Sequence, residues 1–252
     1  MDEQRTKEMV EPIEEEDDLT QELLERSQRR RRRVRQVVSV VLVFALTINI
    51  LAIWPHVLKW EAVEFLRISY GLYQDEQMQA KKQAVVSVVG RDRKGTGFVI
   101  DPSGIVITNH HVIENESGLY LNFANGTTLV PKIEQSLPEH DLAILRIEES
   151  HLPSLTPNYE YVWEEGEPVT FIGNPLGFPW VANAGELIGE IRVRDIEHPV
   201  MMIRAPVYQG NSGSPVFNRE GEVIAVLFAT LPQGKETVGL AVSIRHLRGK
   251  LK

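Results

Sequence analysis

From Ala84 onward the chain alternates short apolar runs with turn signals. The runs are AVVSVV, TGFVID, GIVIT, LYLNF and LAILRI, then PVTFIG, VANAGELIGEI, VMMIR, EVIAVLFA and TVGLAVS. Between them lie DPSG (Asp101 to Gly104), ANG (Ala124 to Gly126) and REG (Arg219 to Gly221). Runs this short, rich in β-branched residues and punctuated by Gly, Pro, Asn and Asp, predict strands rather than helices. Many such strands indicate an all-β barrel or sandwich. Upstream the pattern changes: residues 36–58 form a 23-residue run without Asp, Glu, Lys or Arg, with Ser39, Thr47 and Asn49 among its few polar interruptions. As a helix at ~1.5 Å per residue it would reach roughly 34 Å, enough to cross a bilayer.

Charge sharpens that reading. Residues 1–28 are polar and acid-rich, including EPIEEEDD (Glu11 to Asp18), and read as a tail without a core. The cluster RRRRRVR (Arg29 to Arg35) abuts the apolar run. The positive-inside rule then leaves the tail in the cytoplasm and the β region outside, a single-pass cell-membrane protein touching the bilayer through residues 36–58. A cleavable signal peptide competes, but it would need a shorter apolar core and a small-residue cleavage site after it. The expected divisions are a tail at 1–35, a transmembrane signal anchor at 36–58, a partly helical connector at 59–83 and a β domain at 84–252. The net charge of −8 argues against a nucleic-acid partner. The absence of cysteine excludes disulfides and a thiol nucleophile. The seven histidines include no HExxH, so neither a metal nor a cofactor is expected.

Candidate chemistry lies at strand ends. GNSGSP (Gly210 to Pro215) places a serine in a glycine-rich turn just before an apolar run. A hydroxyl becomes a useful nucleophile when a base takes its proton and backbone N–H groups receive the oxyanion, which such a turn can supply. TNHHVI (Thr108 to Ile113) puts two histidines directly after an apolar run, and HDLAILRI (His140 to Ile147) puts an aspartate at the mouth of another. The order His, Asp, Ser is that of chymotrypsin-type enzymes and not of subtilisins or α/β-hydrolases.

With these three segments, and with GTGFVIDPSGIVITNHHVI (Gly95 to Ile113), IGNPLG (Ile172 to Gly177) and GNSGSPVFN, the chain resembles the trypsin-like serine proteases of the HtrA (Deg) type. The resemblance runs from about Ala84 to Ser243. It implies two six-stranded antiparallel β-barrels with the site in the cleft between them, and a serine endopeptidase acting on protein or peptide substrates. It assigns Ser212 as nucleophile, His111 as general base and Asp141 as its orienting carboxylate. The family histidine stands immediately before the apolar Val, which selects His111 over His110. His110 reads as a hydrogen-bonded turn residue and His140 as a surface loop residue. The oxyanion hole would be built from Gly210, Asn211 and Ser212. Val207 and Leu240 would wall an apolar substrate pocket, and an aromatic membrane-proximal segment implies a homotrimer.

Two departures from the family matter. Ser214 stands where glycine is usual two positions after the nucleophile, which is strained only if its φ is positive. The sequence closes on IRHLRGKLK, and the PDZ domain that many of the family carry beyond that point is not expected here. An inactive protease-like binding module is the alternative that Ser214 favours; an esterase using the same triad is the third.

Overall fold

The computed structural model describes residue 26 and residues 29–49, 69–233 and 236–251. It divides into two units, Met1–Trp60 and Glu61–Lys252. In the first, residues 29–49 are helical. Its apolar side chains are exposed all round, Val37 and Val40 to Phe44 and Leu46 among them. Thr47 Oγ1 and Asn49 Nδ2 donate to the helix's own carbonyls at Val43 and Ala45, each at 2.8 Å. Among the described residues no helix is long and apolar enough to cross a membrane. The expected span continues through residues 50–58, which lie outside the described residues.

In the second unit residues 69–73 are helical, and a helix at Glu76–Lys82 follows, capped by Asp75, whose Oδ1 accepts from the N–H groups of Gln77 and Met78. Met78 is buried in the main apolar core, so this helix packs on the β region. Thirteen strands follow among the described residues. The first seven are β1 (Val85–Val89), β2 (Lys94–Asp101), β3 (Ile105–Thr108), β4 (Tyr120–Phe123), β5 (Thr128–Leu129), β6 (Lys132–Leu137) and β7 (Leu142–Arg146). They form one antiparallel sheet in the order β5-β4-β1-β2-β3-β7-β6. The other six are β8 (Pro168–Gly173), β9 (Val181–Ile191), β10 (Val200–Arg204), β11 (Pro215–Phe217), β12 (Val223–Gln233) and β13 (Glu236–Ser243). These close into a barrel in the order β10-β13-β12-β11-β8-β9.

The six-stranded barrel expected for the second half is present; the first half differs. There the sheet has seven strands and its ladder does not close. Pro131 supplies the reason, because it has no N–H to donate and so splits one stretch into β5 and β6. β5 bonds β4 and β6 bonds β7, at opposite edges of the sheet, yet only Val130 and Pro131 separate them. Three Cα steps span at most about 11 Å, so the sheet must roll round on itself across that link.

Candidate active site

Strand pairing places the first two site residues. β3 and β7 are antiparallel with Thr108 opposite Ala143, so the residues just after β3 face those just before β7. The His110 N–H continues the ladder to the Asp141 carbonyl at 3.1 Å, and Asn109 Nδ2 donates to the same oxygen at 2.7 Å. Asp141 itself is left-handed at φ 49, a conformation Asp adopts more readily than most residues. Its carboxylate accepts two bonds from His111: the backbone N–H at 2.9 Å on Oδ1, and ring Nδ1 at 2.7 Å on Oδ2. A carboxylate acceptor puts the proton on Nδ1 and leaves Nε2 as the ring's free lone pair. The Arg93 guanidinium donates to the His111 carbonyl. His110, by contrast, turns its Nδ1 to Ser136 Oγ at 2.7 Å.

Ser212 lies in the connection from β10 to β11. The turn Tyr208–Asn211 is closed by the Asn211 N–H donating to the Tyr208 carbonyl at 3.1 Å. Gly210, its third residue, has φ 98, as a type II turn requires. Two carbonyls of this segment are anchored: that of Gln209 accepts from the Leu176 N–H at 2.8 Å, and that of Asn211 from the Ser214 N–H at 3.0 Å. In a trans peptide the N–H points opposite to the C=O. The N–H groups of Gly210 and Ser212 are thereby turned the other way, and neither has an acceptor among the described residues. The Asn211 N–H is taken by the turn, so the unpaired backbone donors here are those of Gly210 and Ser212.

The Ser212 hydroxyl donates to the Phe228 carbonyl at 3.2 Å. Phe228 is the extra residue of a β-bulge, since Leu227 pairs with Ala241 and Ala229 with Leu240. A bulge re-aims the local backbone, here toward the serine. His111, Gly210 and Ser212 all line one cleft of about 890 Å³. The arrangement offers a base with a free nitrogen, a hydroxyl able to rotate and two unpaired N–H donors.

Thr96 and Asn174 brace this turn, and neither stood out as a site residue in the sequence. Thr96 Oγ1 donates to the Gly210 carbonyl at 2.8 Å and accepts from the Asn174 N–H and Nδ2 at 3.1 and 3.0 Å. The Thr96 N–H donates to the Ser212 carbonyl at 2.7 Å. A hydroxyl has one donor and two acceptor positions, and here all three are used. The signal available was a polar residue buried in each of two apolar runs, TGFVID and IGNPLG.

Other expected residues sit as follows. Val207 and Leu240 are 8% and 4% exposed, belong to separate apolar clusters, and do not line the cleft with His111 and Ser212. His140 is a correction: it is 6% exposed rather than a surface residue, because its ring is stacked against His198 and His246. Ser214 has no positive φ; Gly213 takes that role at φ 88. The serine's cost lies elsewhere: its Oγ and Asn211 Oδ1 are buried without hydrogen-bond partners, both where a side chain on Gly173 would stand.

Comparison with known proteins agrees with this geometry. Residues 95–226, more than half of the chain, match the family model described as trypsin-like peptidase domain. The chain is 29% identical over 193 residues to a Chlamydia trachomatis protein named "Probable periplasmic serine endoprotease DegP-like", covering 74% of this chain and 37% of that one. A Marinomonas relative of the same name is 31% identical over 168 residues, covering 66% and 35%. The chain thus spans well under half the length of these curated relatives. Among solved structures, the active form of the Rv3671c protease of M. tuberculosis superposes with a TM-score of 0.65 at 26% identity, covering 72% of this chain and 85% of that one. The serine endoprotease of Yersinia pestis gives 0.60 at 26% identity, over 69% and 62%. The match spans both His111 and Ser212, on the two sides of the cleft: the chain belongs to the trypsin-like peptidase domain family, with DegP-like serine endoproteases among its relatives.

Proposed function

We propose that this protein is a serine endopeptidase that cleaves protein substrates through His111, Asp141 and Ser212. The observation that carries the reading is the cleft in which His111, already bonded to Asp141, opens beside Ser212 and two unpaired N–H donors. Ser212 Oγ leaves the Phe228 carbonyl, gives its proton to His111 Nε2 and attacks the scissile carbonyl carbon. The N–H groups of Gly210 and Ser212 receive the oxyanion. Asp141 holds the imidazole in the correct tautomer and stabilises the imidazolium. His111 then returns the proton to the leaving amine, and a water activated by the same nitrogen releases the acyl group from Ser212.

The rest of the reading concerns place. Beyond Gln36 the helix at residues 29–49 exposes apolar side chains all round and returns Thr47 and Asn49 to its own backbone, as a lipid-facing helix does. With the arginines before it, this supports a single-pass anchor over residues 36–58, the N-terminus cytoplasmic and the peptidase outside, where its substrates are extracytoplasmic proteins. A homotrimer rests on the aromatic connector alone.

The Ser212–Phe228 bond favours a second reading, a binding module with an idle serine. Labelling with a fluorophosphonate probe separates the two. Covalent labelling that Ser212→Ala abolishes supports the peptidase. An unlabelled, folded protein under conditions that label trypsin overturns it.

A further inference from the structure

Three histidines outside the cleft come from distant parts of the chain. His140 ends the 3-10 turn Pro138–His140 before β7, His198 lies in the β9–β10 connection, and His246 lies in the final 3-10 turn Ile244–Leu247. Their ring centroids are 5.4 Å apart for His140 and His198, 4.5 Å for His140 and His246, and 4.6 Å for His198 and His246. One ring nitrogen from each lies within 4.8 Å of the others. The backbone around them is fixed: the Glu197 N–H donates to the Glu139 carbonyl at 3.0 Å, and Ile244 and Leu247 are fully buried.

A purely packed histidine cluster explains this poorly. The His140 side chain is 8% exposed, yet its Nδ1 is buried with no hydrogen-bond partner. A buried polar nitrogen left unpaired costs about 1–3 kcal/mol. Burial first, then the neighbouring rings and cations, holds His246 down at about 4, and burial lowers His140. The charges facing the cluster are Glu139 and Glu197, with oxygens 3.9 and 3.8 Å from the Nε2 atoms of His140 and His198, and the cations Arg245 and Lys250.

We propose that His140, His198 and His246 form a binding site for a first-row divalent transition-metal ion, with Zn²⁺ as the probe. Three imidazoles without sulfur suit Zn, Cu or Ni and are poor ligands for Mg²⁺ or Ca²⁺. Tetrahedral Zn–N bonds of about 2.0–2.1 Å place the ligand nitrogens about 3.4 Å apart. Closing from 4.8 Å requires the stacked rings, within 20° of parallel, to rotate so that their lone pairs converge. The side chain of His198, 44% exposed, provides entry and room for a fourth ligand, a water or a glutamate oxygen. Because His140 directly precedes Asp141, the ion fixes the turn that carries the carboxylate bonded to His111.

The test uses the full, untagged chain, and the same measurement on Ser212→Ala makes its outcome independent of peptidase activity. Isothermal titration with Zn²⁺ is expected to show one equivalent bound, with no comparable binding of Mg²⁺. His198→Ala and His246→Ala should each weaken the affinity at least about tenfold, while His151→Ala should not. Zn²⁺ at about a hundredfold excess over its Kd should raise the Tm of the parent by roughly 5 °C or more, and that of the two variants by less. Thermal melts without metal verify that the variants fold. Absence of binding up to millimolar Zn²⁺, or binding that both substitutions leave intact, overturns the proposal.

Discussion

In the seven-stranded sheet, His111 and Asp141 are joined by bonds of 2.7 and 2.9 Å; in the closed barrel, Ser212 spends its hydroxyl on the Phe228 carbonyl at 3.2 Å. The first bonds are short and both are accepted by a carboxylate. The second exceeds the usual 2.5–3.0 Å of an O–H···O bond and is weak. The base side is therefore finished by strand register alone, since pairing of β3 with β7 brings the two segments together. On the nucleophile side the backbone is fixed and the side chain is left to move. On the proposed reading the hydroxyl must leave the Phe228 carbonyl before it can meet His111.

Asp141→Asn breaks the base side. The amide can donate to Nδ1 and so stabilise the wrong tautomer, and turnover of a peptide substrate near pH 7 should fall by about 10⁴-fold with the urea midpoint little changed. Parent-like turnover would mean that another group orients His111. Thr96→Val attacks the opposite side. It strips partners from the Gly210 carbonyl and from two Asn174 N–H groups, so stability should drop by about 3 kcal/mol in urea titration, and fluorophosphonate labelling of Ser212 should slow. A loss of stability with an unchanged labelling rate would show that the turn holds itself.

Ser214→Ala sharpens the contrast by relieving the nucleophile side of one unpaired hydroxyl. It should raise stability by about 1 kcal/mol without lowering activity. The smallest effect is expected from His110→Ala: its ring bonds Ser136 and not Asp141, so activity should stay within about threefold of the parent. Loss of activity there, with His111→Ala active, would reverse the assignment of the base.

What the sequence disclosed follows the range of the interaction that fixes each residue. His111, Asp141 and Ser212 were singled out from segments near short apolar runs in the order His, Asp, Ser, with the family resemblance choosing His111 over His110. The structure joins His111 to Asp141 and puts it in one cleft with Ser212. That the first sheet counts seven strands rather than six was missed because Pro131 divides one stretch into β5 and β6. Thr96 and Asn174 were hidden in the same way as His140, His198 and His246. The Thr96 hydroxyl's partners lie 78 or more residues away, and no spacing rule relates positions 140, 198 and 246. The cost of Ser214 was sought in its backbone and found in its hydroxyl, which only the packing around Gly173 reveals.

The bonds from Thr96 also set the order in which this protein becomes competent. They join residues 114 and 78 apart in sequence, Gly210 and Asn174, and contacts of such separation must overcome the largest loop-closure entropy. The His111–Asp141 pair closes a segment of 30 residues and can form early, as soon as β3 and β7 meet. The Ser212 turn belongs to the barrel, which closes only through β13, so by the same argument its bracing is expected later. A molecule still emerging or half folded thus carries a ready base and no braced nucleophile, so the peptidase proposed here cannot cleave until its own folding is complete.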